Sequence, residues 1–121
     1  MRKGRLIAVW IVSVLLAALY FFVGGMKLAG GQALADQFVR YGYPGWFMYV
    51  VGAMEVTGAV LLLIPRAALY GAIVLSVVMI GAMGTHLTHQ EAPNAIAPLV
   101  LFGLLVFVAA TRRQTAGPVR A

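Results

Sequence analysis

No cysteine occurs anywhere in the chain, so disulfide bridges, thiolate metal sites and cysteine redox chemistry are excluded. Carboxylates are nearly as scarce: Asp36, Glu55 and Glu91 are the only three, beside nine Lys and Arg and two His. Charged residues make up 10% of the 121 positions and hydrophobic ones 63%, against roughly 25% and 45–50% in an ordinary soluble domain. Too few polar groups are present to cover a water-facing exterior, whereas a lipid-facing one asks for the opposite. No internal repeat, linker or low-complexity stretch interrupts the sequence, which reads as a single transmembrane domain over positions 1–121. The formal charge of +6 does not point to nucleic acid, because the basic residues flank apolar runs and form no continuous polar face.

What the chain has in abundance is apolar length. A helix rises ~1.5 Å per residue, so a hydrocarbon core ~30 Å thick needs about twenty residues. Four runs fit: 6–29, 45–64, 67–87 and 94–111. A cleavable signal peptide competes for the first, since Ala33, Leu34 and Ala35 before Asp36 resemble a small-residue cleavage site. The run exceeds the roughly 7–15 residues of a signal h-region, so a retained helix is expected. Positions 30–43 are more polar, with Gln32, Asp36, Gln37 and Arg40, while Ala33, Leu34, Phe38 and Val39 show weak helical periodicity. A short helix at the outer interface is predicted there, followed by an aromatic cluster of Tyr41, Tyr43, Trp46, Phe47 and Tyr49 at the membrane surface. Pro65 and Arg66 leave almost no loop between the second and third runs, which forces them antiparallel. Arg112, Arg113 and Arg120 read as a short basic tail.

Lysine and arginine set the orientation. With both termini in the cytoplasm, seven basic residues (Arg2, Lys3, Arg5, Arg66, Arg112, Arg113, Arg120) lie inside and two (Lys27, Arg40) outside. The expected fold is all-α: a four-transmembrane-helix bundle, N-in/C-in, with a short interfacial helix between the first and second spans.

Four residues stand out as candidates for a site. Glu55 lies near the middle of the second run, where insertion of a carboxylate costs about 2.5–3.5 kcal/mol, so it should face the bundle interior. Gly52 and Ala59 beside it make a small-residue stripe that lets a neighbouring helix approach. On the first run Ser13, Tyr20 and Lys27 recur every seven residues and share one face. Tyr20 then lies about 10 Å deeper than Lys27, at a depth where both reach Glu55. His86 ends the third run on a stripe with Ala72, Ser76, Met79 and Met83. As a neutral imidazole it would hydrogen-bond a ligand carbonyl or relay a proton. A Lys27–Glu55 pair that merely locks helix packing explains the same residues equally well. His86, His89 and Glu91 have the residue types of a metal site, but two histidines one turn apart and a loop carboxylate make a weak ligand set, and no metal is expected.

These residues sit in segments that resemble the DoxX-like family of small four-helix membrane proteins. The resemblance rests on Phe21, Phe22, Val23, Gly24, Gly25, Met26, Lys27 and Leu28, then on Tyr43-Pro44. It continues through Gly52, Ala53, Met54, Glu55, Val56, Thr57 and Gly58, and through Thr85-His86-Leu87 and Pro98. Relatives of this kind are associated with quinone-linked redox, as the membrane subunit of a thiosulfate:quinone oxidoreductase, and with resistance to quinones, catechols or oxidative stress. The resemblance picks out Lys27, Glu55 and His86, and implies a bacterial cytoplasmic (inner) membrane.

The sequence holds no intrinsic cofactor site, so electron transfer would need a partner protein or a bound quinone, and catalysis by the chain alone is not expected. The leading expectation is a membrane subunit or binding module for a lipophilic small molecule such as a quinone, with Tyr20, Lys27, Glu55 and His86 binding it or exchanging protons. The lipid bilayer is its expected surroundings, with a protein partner or a homo-oligomer as further partners. Two alternatives compete: a structural protein that docks a larger complex, and an oligomeric exporter of toxic aromatics.

Overall fold

A computed structural model describes residues 3–116, with side chains up to Arg113. Arg2 and Arg120, counted above among the inner-side charges, lie outside the described residues. Five α-helices follow one another: α1 (Lys3–Ala29), α2 (Gln32–Arg40), α3 (Phe47–Leu62), α4 (Ala68–Thr88) and α5 (Ile96–Ala116), with a 3-10 turn at Ala92–Ala95 before the last. No strand occurs among the described residues.

Three segments are long and apolar enough to cross a membrane: Lys3–Ala29, Ala68–Thr88 and Ala92–Arg113. The second expected span is shorter than positions 45–64. Helix α3 has 16 residues, about 24 Å of regular helix. Pro44, Gly45 and Trp46 precede it in tight turns, their carbonyls accepting from the amides of Phe47, Met48 and Tyr49 at 3.0–3.3 Å. At the other end the amides of Leu63 and Ile64 bond three residues back, to Val60 and Leu61. Both ends are thus wound as 3-10 turns, which rise ~2.0 Å per residue instead of 1.5 Å. A short helix is present where one was predicted, as α2. It begins after Gly30, whose φ of +81° turns the chain out of α1.

Helices α1, α3, α4 and α5 pack in a ring, α1 touching α3 and α5, and α4 touching α3 and α5; α2 rests against α3. Their inward faces supply one core, including Val9, Leu16 and Tyr20 from α1, Leu62 from α3, Leu75 and Met79 from α4, and Leu105 and Val108 from α5. The outward faces are apolar as well: Leu15 and Phe22 are each 66% exposed and Val77 and Val100 each 56%. An exterior of exposed Leu, Ile, Val and Phe on every long helix suits lipid, not water. Glycine sets the spacing of the ring. A Cβ at Gly71 would lie 2.8 Å from the carbonyl oxygen of Gly58 and 2.9 Å from the amide nitrogen of Leu62, so α3 and α4 meet backbone to backbone.

One expectation is corrected at the end of the chain. Arg112 is not part of a solvated tail: it is 2% exposed, and its guanidinium lies 4.9 Å from the centre of the Trp10 ring. No helix breaker intervenes before Gly117, so α5 keeps winding past position 111 and carries Arg112 round to face α1. Beside it, Arg5 Nε donates to Thr111 Oγ1 at 3.1 Å, tying the first helix to the last.

Candidate functional site

The site is built where α1 and α3 cross. A Cβ at Gly52 would lie 2.8 Å from Lys27 Cβ and 2.9 Å from the carbonyl oxygen of Gly24, and one at Gly24 would lie 3.0 Å from Glu55 Cβ. Two glycines facing each other therefore let the helices close, and the next residues along each face are Lys27 and Glu55. Lys27 Nζ stands 2.9 Å from Glu55 Oε1, with the lysine side chain 18% and the glutamate 4% exposed. The contact is a close ion pair. About two turns below Lys27, Tyr20 is 1% exposed and its hydroxyl has no hydrogen-bond partner. Ser13, the third member of the heptad face, is fully buried too, with its hydroxyl unpartnered.

A cavity of about 560 Å³ opens beside this pair. Tyr20, Lys27, Glu55 and His86 all line it, so the four residues singled out in the sequence share one space. Most of the remaining wall is apolar or aromatic, with Val23, Phe38, Phe47, Met54, Met79 and Leu101 among the contributors. Pockets of roughly 300–1,000 Å³ that are mostly apolar and carry a few convergent polar groups are the common form of a small-molecule site.

The rim adds residues beyond the four candidates. Tyr41, Tyr43 and Thr85 line the cavity as well. Tyr41 Oη donates to Glu91 Oε1 at 2.7 Å, and His86 Nδ1 lies 3.0 Å from the same oxygen. Tyr43 Oη is 2.6 Å from Thr85 Oγ1, which in turn donates to the Gly81 carbonyl, so the tyrosine is the donor of the shared contact. The Tyr41 ring meets His86 edge-on at 5.6 Å and His89 at 5.1 Å. His89 itself turns back on its own helix, Nδ1 lying 2.9 Å from the Thr85 carbonyl. Sequence position alone marks Tyr41 and Tyr43 as interfacial aromatics and Glu91 as a member of a weak metal-ligand set. Only the folding of α2 back over α3 brings positions 41 and 43 to positions 85–91. Among the described residues, no three His, Asp or Glu side chains converge as a metal site would require.

The Tyr41 hydrogen bond, and after it the His86 contact, hold the Glu91 carboxyl below its ordinary value of 4.5. The same bond raises the Tyr41 phenol. A carboxyl depressed in the folded state stabilises the fold above pH 4.5, and that contribution is lost as the pH falls through the depressed folded value. The thermal midpoints of the wild type and Tyr41→Phe should accordingly differ at about pH 7 and converge on acidification below pH 4.5. A gap that stays constant down to about pH 3 would show that Glu91 does not hold the rim.

No curated protein and no solved structure matches the chain. One family model does match: that of the DoxX-like family, over residues 11–108. The matched region runs from the first turns of α1 to the buried part of α5 and contains every residue of the cavity wall. With that coverage, and with an apolar exterior on helices long enough to cross a bilayer, the chain is an integral membrane protein that belongs to the DoxX-like family.

Proposed function

We propose that the protein is a membrane binding module for a lipophilic, oxygen-bearing aromatic compound of the quinone class. It would be held between the helices at the Lys27 end of the bundle. The observation that carries this reading is the cavity itself: about 560 Å³, walled by apolar and aromatic side chains, with Lys27, Glu55, Tyr20 and His86 converging on it. The aromatic rings would stack on a flat ligand. Lys27 would donate to a ligand oxygen while its remaining hydrogens face Glu55, and Tyr20 Oη would gain the partner it lacks. Glu55 would exchange the proton if the ligand changes redox state, and the electrons would come from a partner protein or the ligand pool.

The orientation that fits this reading puts both termini in the cytoplasm, with α3 as the fourth, shortest span. The end bearing Arg5 also carries Lys3, Arg66, Arg112 and Arg113, whereas the other end has only Lys27 and Arg40 among the described residues. This basic bias is that of a cytoplasmic face, here of a bacterial inner membrane. The cavity then opens in the outer half of the bilayer.

Titration of the purified protein in detergent with a short-chain benzoquinone analogue tests the reading. Saturable binding is expected, weakened about tenfold or more by Glu55→Gln and by His86→Ala, which corresponds to about 1.4 kcal/mol. Affinity untouched by both substitutions would sink it. A second reading has its own support, since the Lys27–Glu55 pair ties α1 to α3 at their closest approach. If the pair only locks the bundle, Glu55→Gln lowers the thermal midpoint and leaves ligand response unchanged.

A further inference from the structure

The contact between His86 and Glu91 determines which nitrogen of His86 is left for the cavity. Glu91 Oε1 accepts from Tyr41 Oη at 2.7 Å and lies 3.0 Å from His86 Nδ1. An ionised carboxylate can only accept, so the hydrogen of the second contact belongs to Nδ1. A neutral imidazole carries one N–H, and with that N–H spent on Glu91, Nε2 is left with its lone pair. Among the described residues Nε2 has no hydrogen-bond partner, and His86 is part of the cavity wall. In that tautomer the ring offers the cavity an acceptor.

Across the same space the Glu55 carboxylate is a second acceptor. Lys27 is drawn to Glu55, and Tyr20 Oη can give or take a hydrogen. A ligand that brings only carbonyl or ether oxygens leaves Nε2 unsatisfied in an apolar cavity and gives Glu55 nothing beyond its pairing with Lys27. Sites that hydrogen-bond a ligand hydroxyl discriminate strongly against analogues without one, because the buried partner is stranded.

We propose that Glu91 is a positioning residue that holds His86 in its Nδ1–H tautomer, so that the cavity selects aromatic ligands bearing a free hydroxyl over their carbonyl or ether counterparts. The proposal rests on the cavity being a ligand site. Applied to a quinone pair, it makes the reduced, hydroxylated form the tighter ligand. Glu91 touches no ligand in this scheme and acts through His86.

The test uses the full chain in detergent micelles, 15N-labelled at histidine, with 2-naphthol and 2-methoxynaphthalene as probes that differ in a single O–H. The His86 signals are assigned by their loss in His86→Ala. The wild-type spectrum should show a neutral ring protonated at Nδ1, and naphthol should bind roughly ten- to a hundredfold more tightly than its methyl ether. Glu91→Ala should release the tautomer and bring the affinity ratio toward one, with binding of the ether little changed. Tyr41→Phe leaves the carboxylate facing Nδ1 and should retain the tautomer and most of the selectivity, which a merely loosened rim would not. The tautomer is read on the unsubstituted chain and so does not depend on Glu91→Ala folding. An Nε2–H ring in the wild type, or a ratio unchanged by Glu91→Ala, would overturn the proposal. Equal binding of the two probes would also overturn it while leaving the ligand site intact. Failure of both probes to bind would remove the site and the selectivity together.

Discussion

Replacing Lys27 with methionine is expected to lower stability by roughly 3–5 kcal/mol, the range for stranding one member of a buried ion pair. Glu55 is 3% exposed and has one cation beside it, 2.9 Å away, so the substitution leaves its carboxyl facing an apolar wall. Changing both members is a different experiment. In the Lys27→Met, Glu55→Gln double variant no charge remains to be stranded, and stability should return to within about 1.5 kcal/mol of the wild type, since buried pairs often contribute little net energy over neutral substitutes. Thermal or denaturant unfolding in one detergent, read as a double-mutant cycle, measures the difference. A single variant no less stable than the double one would mean that the pair is solvated and that the cavity is wetter than its lining suggests.

The second large effect is steric. At Gly71 an added Cβ would meet the Gly58 carbonyl oxygen at 2.8 Å and Leu61 Cβ and Leu62 N at 2.9 Å. At Gly52 it would meet Lys27 Cβ at 2.8 Å and the Gly24 carbonyl oxygen at 2.9 Å. Backbone atoms cannot move aside as the end of a flexible side chain can, so the helices must part. Gly71→Ala and Gly52→Ala should each destabilise by about 1–3 kcal/mol, and Gly52→Ala should also weaken ligand binding by spreading Lys27 from Glu55. Gly58 belongs with them, because a Cβ there would meet Leu75 Cγ at 2.5 Å, and Leu75 is fully buried in the core with little room to turn aside. Gly25→Ala is the control: nothing lies within 4 Å of its Cβ position, and relief of helical glycine should leave stability unchanged or raise it by up to about 1 kcal/mol. Equal losses at Gly25, Gly52 and Gly71 would show that close helix approach is not what these positions provide.

Much of the molecule was legible in the residue string. Apolar run length predicted the long helices α1, α4 and α5 because the geometry of a helix in hydrocarbon leaves little choice, and every backbone group must be satisfied within its own segment. The heptad of Ser13, Tyr20 and Lys27, together with the expense of a mid-helix carboxylate, was enough to turn those residues and Glu55 inward. Local chemistry alone carries such inferences, since each depends on periodicity or on the solvation of a single group.

The tertiary structure decided the rest. The tight turns at both ends of α3 shorten it to Phe47–Leu62, a matter of which carbonyl each amide finds once the chain is packed. Arg112 reads as part of a cationic tail until the rotation of α5 sets it over Trp10. The contacts of the rim, Tyr41 with Glu91 and Tyr43 with Thr85, join residues 50 and 42 positions apart, a closeness that depends on α2 resting against α3. By itself the sequence determined that the chain lies in lipid and which few polar side chains turn away from it, because burial free energy is a property of each side chain. What those side chains face, and that His86 turns its Nδ1 to Glu91, was settled by the fold, because a hydrogen bond needs its partner at a distance and angle that no residue specifies alone.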